Sequence, residues 1–355
     1  MTLKNLHKAP WPWFGGKADA APLVWAALGD PDHYIEPFAG SLAVLLLRPH
    51  VANRTYHDET VNDLDGLLVN AWRSIQMSPV ETARAASWPV SEADMHARHL
   101  ALVKWRNEQR LEHLMGDPLW HDPVMAGWWS WGQSCWIGSG WASGVGAWTV
   151  DDNGRIKKSS NGTGVNRSRP NVHSNRGVNN PCVRSIGASL SSMTEPELLR
   201  WFAFLSARLR HVRILNGGWE RAVTSGVTHT ISVRNGGVCG VFLDPPYADV
   251  AKRASNLYAL DSLSVAHEVR KWAIEAGRDC KMRIVIAGFD VEHKDLENHG
   301  WTVAEWFRSG FFKGGMGKEQ HRERLWMSPH CEPLHKATTS SASQPSLFCE
   351  DQCIP

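Results

Sequence analysis

A chain of 355 residues with 38 Lys and Arg against 36 Asp and Glu carries a formal charge of only +2, so it is no polycation, and an acidic partner must be met by a local patch. Its 7 cysteines include no CxxC pair, which argues against a disulfide framework and fits reduced thiols in a cytoplasm. No run of about 18 apolar residues exists to cross a bilayer, and "MTLKNLHKAPWPWFGGK" lacks the apolar centre of a signal peptide. The expectation is a cytoplasmic protein. Tryptophan is abundant, at 19 residues against 4 tyrosines; so many flat rings suit either a well-filled core or base stacking.

In chain order, "HYIEPFAG" reads as a short strand running into a turn, followed by the apolar "LAVLLL", which suits a helix. "TYHDETVNDLDGLLVNAWRSI" reads as a second strand ending near Asp63. A helix follows, with Leu64, Leu67, Leu68, Ala71, Trp72 and Ile75 on one face. Regularity then lapses until "TEPELLRWFAFLSARLRHV", where Thr194 and Glu197 form a capping box and Leu198, Phe202, Leu205 and Leu209 share a stripe. The apolar strands "VRIL", "VCGVFL" and "RIVIAG" follow, with the helix "SVAHEVRKWAIEAG" between the last two. Continuous apolar strands alternating with amphipathic helices predict an α/β fold with a parallel sheet covered on both faces.

Between these halves, residues 81–190 have another character. A helix over "SEADMHARHLALVKWRNEQRLEHL" leads into the Trp-dense "GWWSWGQSCWIGSGWASGVGAW" and a loop rich in Gly, Asn and Arg. Helical spacing assigns Trp128, Trp129 and Trp136 to the core, whereas the Gly/Ser context of Trp141 and Trp148 places those two nearer a nucleic acid. The loop carries Arg155, Lys157, Lys158, Arg167, Arg169, Arg176 and Arg184 against Asp151 and Asp152. A solvated loop tolerates such charge, but alternation with Gly, Asn and Ser favours contact with phosphates and base edges.

"VFLDPPY", residues 241–247, ends an apolar strand with an acid, two prolines and a tyrosine. In an open parallel sheet ligands sit beyond the carboxyl ends of the strands. Pro245 and Pro246 remove two N–H donors and stiffen the chain, so the Asp244 carboxylate and the Pro245 carbonyl project as fixed acceptors. Tyr247 adds a flat ring. Two acceptors and a stacking face suit a planar ring bearing an exocyclic amine, as a nucleobase does.

Together, "PWPWFGGK" at 10–17, "YIEPFAGS" at 34–41, "VNDLDGLLVN" at 61–70 and "VFLDPPY" resemble, in that order, the DPPY-type DNA adenine-N6 methyltransferases of bacteria and phages. The order resembles the α group, whose target-recognition domain lies before DPPY. The resemblance spans residues 10–76 and 194–330. It implies a Rossmann-like methyltransferase sheet with an inserted, mostly helical and loop-rich recognition domain. The division would be 1–80 and 191–330 catalytic, 81–190 recognition, and 331–355 a flexible tail. It implies S-adenosylmethionine as cofactor, no metal, and double-stranded DNA as partner, in restriction-modification or a related role.

By the same resemblance Trp13, Gly15, Gly16 and Lys17 line the cofactor site, Lys17 facing the methionine carboxylate. Pro37, Phe38, Ala39 and Gly40 form the turn that approaches the cofactor, and Asp63 binds the ribose hydroxyls, with Glu59 in reserve. Asp244, Pro245, Pro246 and Tyr247 hold the flipped base, Asp244 also bordering the cofactor. The residues alone leave Lys17 readable as a solvated lysine at a helix start and Asp63 as an N-cap. Three positions depart from the family. Leu42 stands where a second glycine is usual, so the turn should depend less on glycine. Gly218 replaces an acid, with Glu220 as substitute, and no Lys or His within the motif partners Asp244. A cytosine-N4 methyltransferase and a catalytically idle DNA-binding relative remain alternatives. In the tail, "QPSLF" resembles the segments that dock bacterial proteins into the replication sliding clamp, through Gln344, Leu347 and Phe348.

Overall fold

The structure, a computed structural model, describes residues 6–13, 15–49, 58–108, 112–113, 116–117, 119–136, 141–142, 148–150, 156–158, 195–246, 265–290, 292–306 and 323–334. Seven strands form the main sheet: β1 (His33–Glu36), β2 (Asp58–Asp63), β5 (Val212–Asn216), β6 (Cys239–Leu243), β7 (Met282–Phe289), β8 (Thr302–Glu305) and β9 (Glu323–Met327). Their order is β5-β2-β1-β6-β7-β9-β8. From β5 to β7 all neighbours pair parallel, whereas β9 runs antiparallel to both β7 and β8. The sheet is therefore mixed, where the sequence predicted a parallel one. The reversed strand is β9, and its buried Leu325-Trp326-Met327 run does not reveal its direction; β8 before it is short and largely exposed. A separate antiparallel hairpin joins β3 (Trp148–Val150) to β4 (Ile156–Lys158).

The apolar strands dictate cover on both faces. On one face, Trp25, Tyr34, Val61, Phe242 and Val285 share a buried cluster with helices α1 (Ala21–Leu28), α2 (Gly66–Met77) and α6 (Glu195–Leu209). On the other, Ile35, Val241, Leu243 and Ile284 pack against α7 (Val265–Ala276) and Trp219, Trp301 and Trp326. Helix α2 starts at Asp65, whose carboxylate accepts from Leu67 N at 3.0 Å. Of its predicted stripe, Leu67, Leu68, Ala71, Trp72 and Ile75 are buried, but Leu64 precedes the cap and is 48% exposed. The stripe of α6 is buried as its spacing predicts.

The helices of the predicted insertion, α3 (Pro79–Ala86), α4 (Glu92–Asn107) and α5 (Pro123–Cys135), contribute Ala83, Leu102, Trp105, Trp129 and Trp131 to the same cluster as Trp72 and Trp201. Their packing continues that of the sheet's helices. Arg98, nearly buried, lies among indoles, its guanidinium carbon 4.2 Å from the Trp131 ring centroid, 5.4 Å from Trp88 and 5.6 Å from Trp128. An arginine can occupy such a place because its weakly hydrated, planar cation stacks on ring faces. Among the described residues no helix is long and apolar enough to cross a membrane.

Candidate functional site

Going from β1 the chain builds outward to β2 and β5, then returns to lay β6 on the other flank of β1. This reversal opens a crevice beyond the carboxyl ends of β1 and β6, where open α/β sheets take their ligands. Residues 37–40 leave β1 there, and Asp244 leaves β6.

The turn after β1 is laced to its neighbours. Ala39 N donates to the Asn62 carbonyl at 2.8 Å, and Gly40 N donates to Asp63 Oδ2 at 2.9 Å. Asn62 Nδ2 donates to the Pro37 and Gly217 carbonyls at 3.1 and 3.0 Å, and Trp72 Nε1 to the Gly40 carbonyl at 2.9 Å. Gly40 has φ +46, and a Cβ there would stand 2.7 Å from Trp13 Nε1, so glycine is required on both counts. Leu42 corrects an expectation. It keeps a left-handed backbone, φ 53, so the turn still demands the conformation that glycine would supply. A non-glycine residue there costs about 1–2 kcal/mol; complete burial of the side chain, worth about 1.5–3 kcal/mol, offsets it.

Asp63 ends β2 and is not the cap of α2, a role that belongs to Asp65. Besides Gly40, its carboxylate accepts from Asp65 N at 2.9 Å. Desolvation raises its pKa to about 6 against the pull of these two bonds. The Leu64 N–H adds a third, weaker contribution; a carboxylate offers about four acceptor positions, so room remains for a hydroxyl donor. The reserve residue is excluded: Glu59 lies near the amino end of β2, with Oε1 3.1 Å from Arg48 Nη1 and Oε2 2.7 Å from Arg208 Nη1. It is a structural ion pair.

Lys17 is not a solvated lysine at a helix start. Its side chain is 4% exposed, its Nζ donates to the Gly15 carbonyl at 2.8 Å, and it stands 2.9 Å from Asp244 Oδ2. Gly15, at φ +79, gives the backbone the bend that turns this carbonyl toward the ammonium. Trp13 and Gly16 flank the segment. Pro245 is buried and Pro246 half-buried.

Three neighbours were not singled out from the sequence. Glu36, the last residue of β1, is buried and accepts from Tyr34 OH at 3.1 Å. Desolvation raises its pKa to about 8, opposed by the Tyr34 bond and helped by the Asp244 charge. Its place directly before the Pro-Phe-Ala-Gly turn was the available signal. Trp306, after β8, is buried with its ring centroid 6.0 Å from Lys17 Nζ, and its indole N–H has no acceptor among the described residues. No pattern surrounds it in the sequence. Trp219 stacks on Phe38, with centroids 6.4 Å apart and planes 23° off parallel.

Gly218 begins the 3-10 turn Trp219–Ala222. Glu220 folds back over it: Glu220 Oε2 is 2.5 Å from where a Cβ on Gly218 would stand. In the helical region Trp129 is buried and Trp128 and Trp136 pack against the cluster. Trp141 is also buried, correcting its placement toward nucleic acid: its indole N–H donates to the Trp129 carbonyl at 3.1 Å, and its ring packs on Trp136 at 5.2 Å. Gly132 makes the room, since a Cβ there would overlap the indole. Trp148, Lys157 and Lys158 lie on the hairpin backbone, Trp148 in register with Lys158 and Thr149 with Lys157. Tyr247, Arg155, Arg167, Arg169, Arg176, Gln344, Leu347 and Phe348 lie outside the described residues.

No family model matches the chain, and no curated protein matches it.

The Glu36 carboxyl generates a prediction about stability. Its folded pKa lies above the ordinary 4.5, so its contribution is fully present below that value and is lost as pH rises toward 8. Glu36→Gln, which keeps an acceptor for Tyr34, should remove this loss. Between pH 5 and pH 8 the wild type should lose on the order of 1–3 kcal/mol relative to the variant in urea unfolding. Parallel pH curves for the two proteins would contradict the assignment.

Proposed function

We propose that the chain is an S-adenosylmethionine-dependent DNA methyltransferase acting on the exocyclic N6 of a flipped-out adenine. The observation that carries this reading is the convergence, at one switch point, of the Lys17–Asp244 pair and the Gly40 turn clamped by Asp63. The sheet supports it as well. A dinucleotide-binding sheet runs 3-2-1-4-5-6; the first five positions follow that order here, and a reversed strand is inserted before the last.

The residues fit the cofactor. Asp63 retains room for a ribose hydroxyl, and the glycine at 40 lets the backbone approach closely. Glu220 takes the place of the acid missing at Gly218, because its carboxylate occupies the space into which a side chain at 218 would project. This placement weighs against an idle relative. Phe38 and Trp219 supply ring faces beside it.

S-adenosylmethionine, when bound, supplies an electrophilic methyl group. The chain's task is to present the amine. Asp244 and the Pro245 carbonyl accept its two N–H bonds, which leaves the nitrogen lone pair directed away from them. Pro245 and Pro246 bring no competing donors. Extracting the base from the helix costs a few kcal/mol, met by the two hydrogen bonds and by stacking assigned to Tyr247. The nitrogen that takes the methyl group must give up one proton, which Asp244, accepting from that N–H, would pass to solvent, so no separate general base is invoked; positioning in a site shielded from water lowers the barrier. Residues 81–190 are assigned to target recognition, with the basic residues between Arg155 and Arg176 on phosphates and Trp148 beside the DNA. Gln344, Leu347 and Phe348 are assigned to the sliding clamp, where tethering would raise the enzyme's concentration on newly copied DNA.

Two experiments test the reading. Purified chain, a labelled methyl donor and duplex DNA should yield N6-methyladenine on nucleoside analysis, and Asp244→Ala should lower turnover by roughly a thousandfold or more in a protein that still folds, with a lower thermal midpoint because the buried Lys17 loses its counter-ion. Product confined to N4-methylcytosine would move the assignment to the cytosine enzymes, and a fully active Asp244→Ala would end it. Cofactor affinity should also weaken as pH falls through about 6, because hydroxyl donors favour the ionised form of Asp63. Asp63→Asn should bind roughly tenfold more weakly and lose that dependence; a wild-type affinity flat from pH 7.5 to pH 5 would exclude the ribose contact.

A further inference from the structure

The Lys17 ammonium stands where water barely reaches, and a compact, strongly hydrated cation keeps its charge there only if its surroundings replace the lost hydration. They do so from three segments. The Gly15 carbonyl accepts at 2.8 Å, the Asp244 carboxylate lies at 2.9 Å, and the face of Trp306 lies 6.0 Å away at its centroid. Carbonyl, carboxylate and ring all favour the charged form. The carboxylate that meets Lys17 thus belongs to the chain itself, and the cation is already committed before any ligand carboxylate arrives.

Resting on the methyltransferase reading, we propose that Lys17 is the positioning residue of Asp244: it keeps that carboxylate ionised and fixes its orientation toward the exocyclic amine. This replaces the methionine-binding role that the resemblance implied. The arrangement also separates the charge states of the carboxyls at the site. Asp244 has Lys17 as counter-ion, Asp63 at the end of β2 has the backbone N–H groups of Gly40, Asp65 and Leu64, and Glu36 at the end of β1 has a phenol and a backbone N–H. Glu36 is accordingly the member that stays protonated at neutral pH and adds no second negative charge beside Asp244, until its ionisation near pH 8.

The test is the pH profile of kcat/KM for the full chain on duplex DNA, compared between wild type and Lys17→Met. Without the cation the ionised form of Asp244 loses its Coulombic support. The acid limb of the profile should therefore move up by about one pH unit or more, each unit being tenfold in the ionised fraction. The KM for S-adenosylmethionine should stay within about threefold, since no uniform binding contact is lost. Lys17→Arg, which keeps the charge, should return the limb toward its wild-type position. Where the Met variant does not fold, Lys17→Gln, which retains a donor for the Gly15 carbonyl, is expected to show the same upward shift. An unmoved acid limb with a large rise in the cofactor KM would overturn the proposal and return Lys17 to the cofactor carboxylate. The two failures are distinguishable: a wild type that transfers no methyl group removes the underlying reading and the inference with it, whereas an active wild type with an unmoved limb in the variant removes only the role of Lys17.

Discussion

The arrangement of this protein depends on a clamp at the carboxyl end of β2. Asn62 and Asp63 together hold the turn after β1 by backbone and side-chain bonds, and Asn62 reaches across to the Gly217 carbonyl beyond β5. Three consecutive strand ends are thereby tied to one another. A turn so held can keep Gly40 and Leu42 in left-handed conformations that an untethered segment would leave, and strain of this kind persists only where the surroundings over-determine it. With the turn fixed, the crevice at the switch point has a rigid floor.

The opposite wall is made by charge. Lys17 arrives from the amino-terminal segment and Asp244 from the end of β6, and neither would be stable there without the other: a lone buried ammonium or an unpaired carboxylate in a poorly hydrated place costs several kcal/mol. The pair therefore couples the folding of the first residues to that of the segment ending β6. Trp306, directly after the edge strand β8, closes the group. Under the proposed function, the same contacts that complete the fold also orient the acceptor for the target amine, so stability and chemistry share one set of residues.

Much of this was legible in the sequence, for identifiable reasons. Strands β1, β2, β5, β6 and β7 and helices α2, α6 and α7 announced themselves because burial on both faces of a sheet, or on one face of a helix, leaves continuous or periodic apolar residues. The reversal did not, since the apolar residues of β9 do not carry its direction, and β8 before it faces solvent over only four residues. Contacts between distant segments were out of reach: spacing places Lys17 near a helix start and Asp244 after a strand, and only the tertiary structure brings them to 2.9 Å. Trp141 was misplaced because local Gly and Ser suggest exposure, whereas Gly132, on another element, opens the slot that buries it. Leu64 was counted into a helix that Asp65 caps after it. Glu59 and Asp63, four residues apart on one strand, could not be told apart by type. Their positions at opposite ends of β2 decide between an ion pair and a candidate ligand contact.

The central claim, that this site methylates adenine in DNA, is tested most directly by expressing the full chain in a host that lacks DNA methylation of its own and reading modified bases across the genome. The account predicts N6-methyladenine confined to a fixed sequence context and abolished with Asp244→Ala. DNA that carries no modified adenine, from cells in which the folded chain is present, would contradict it.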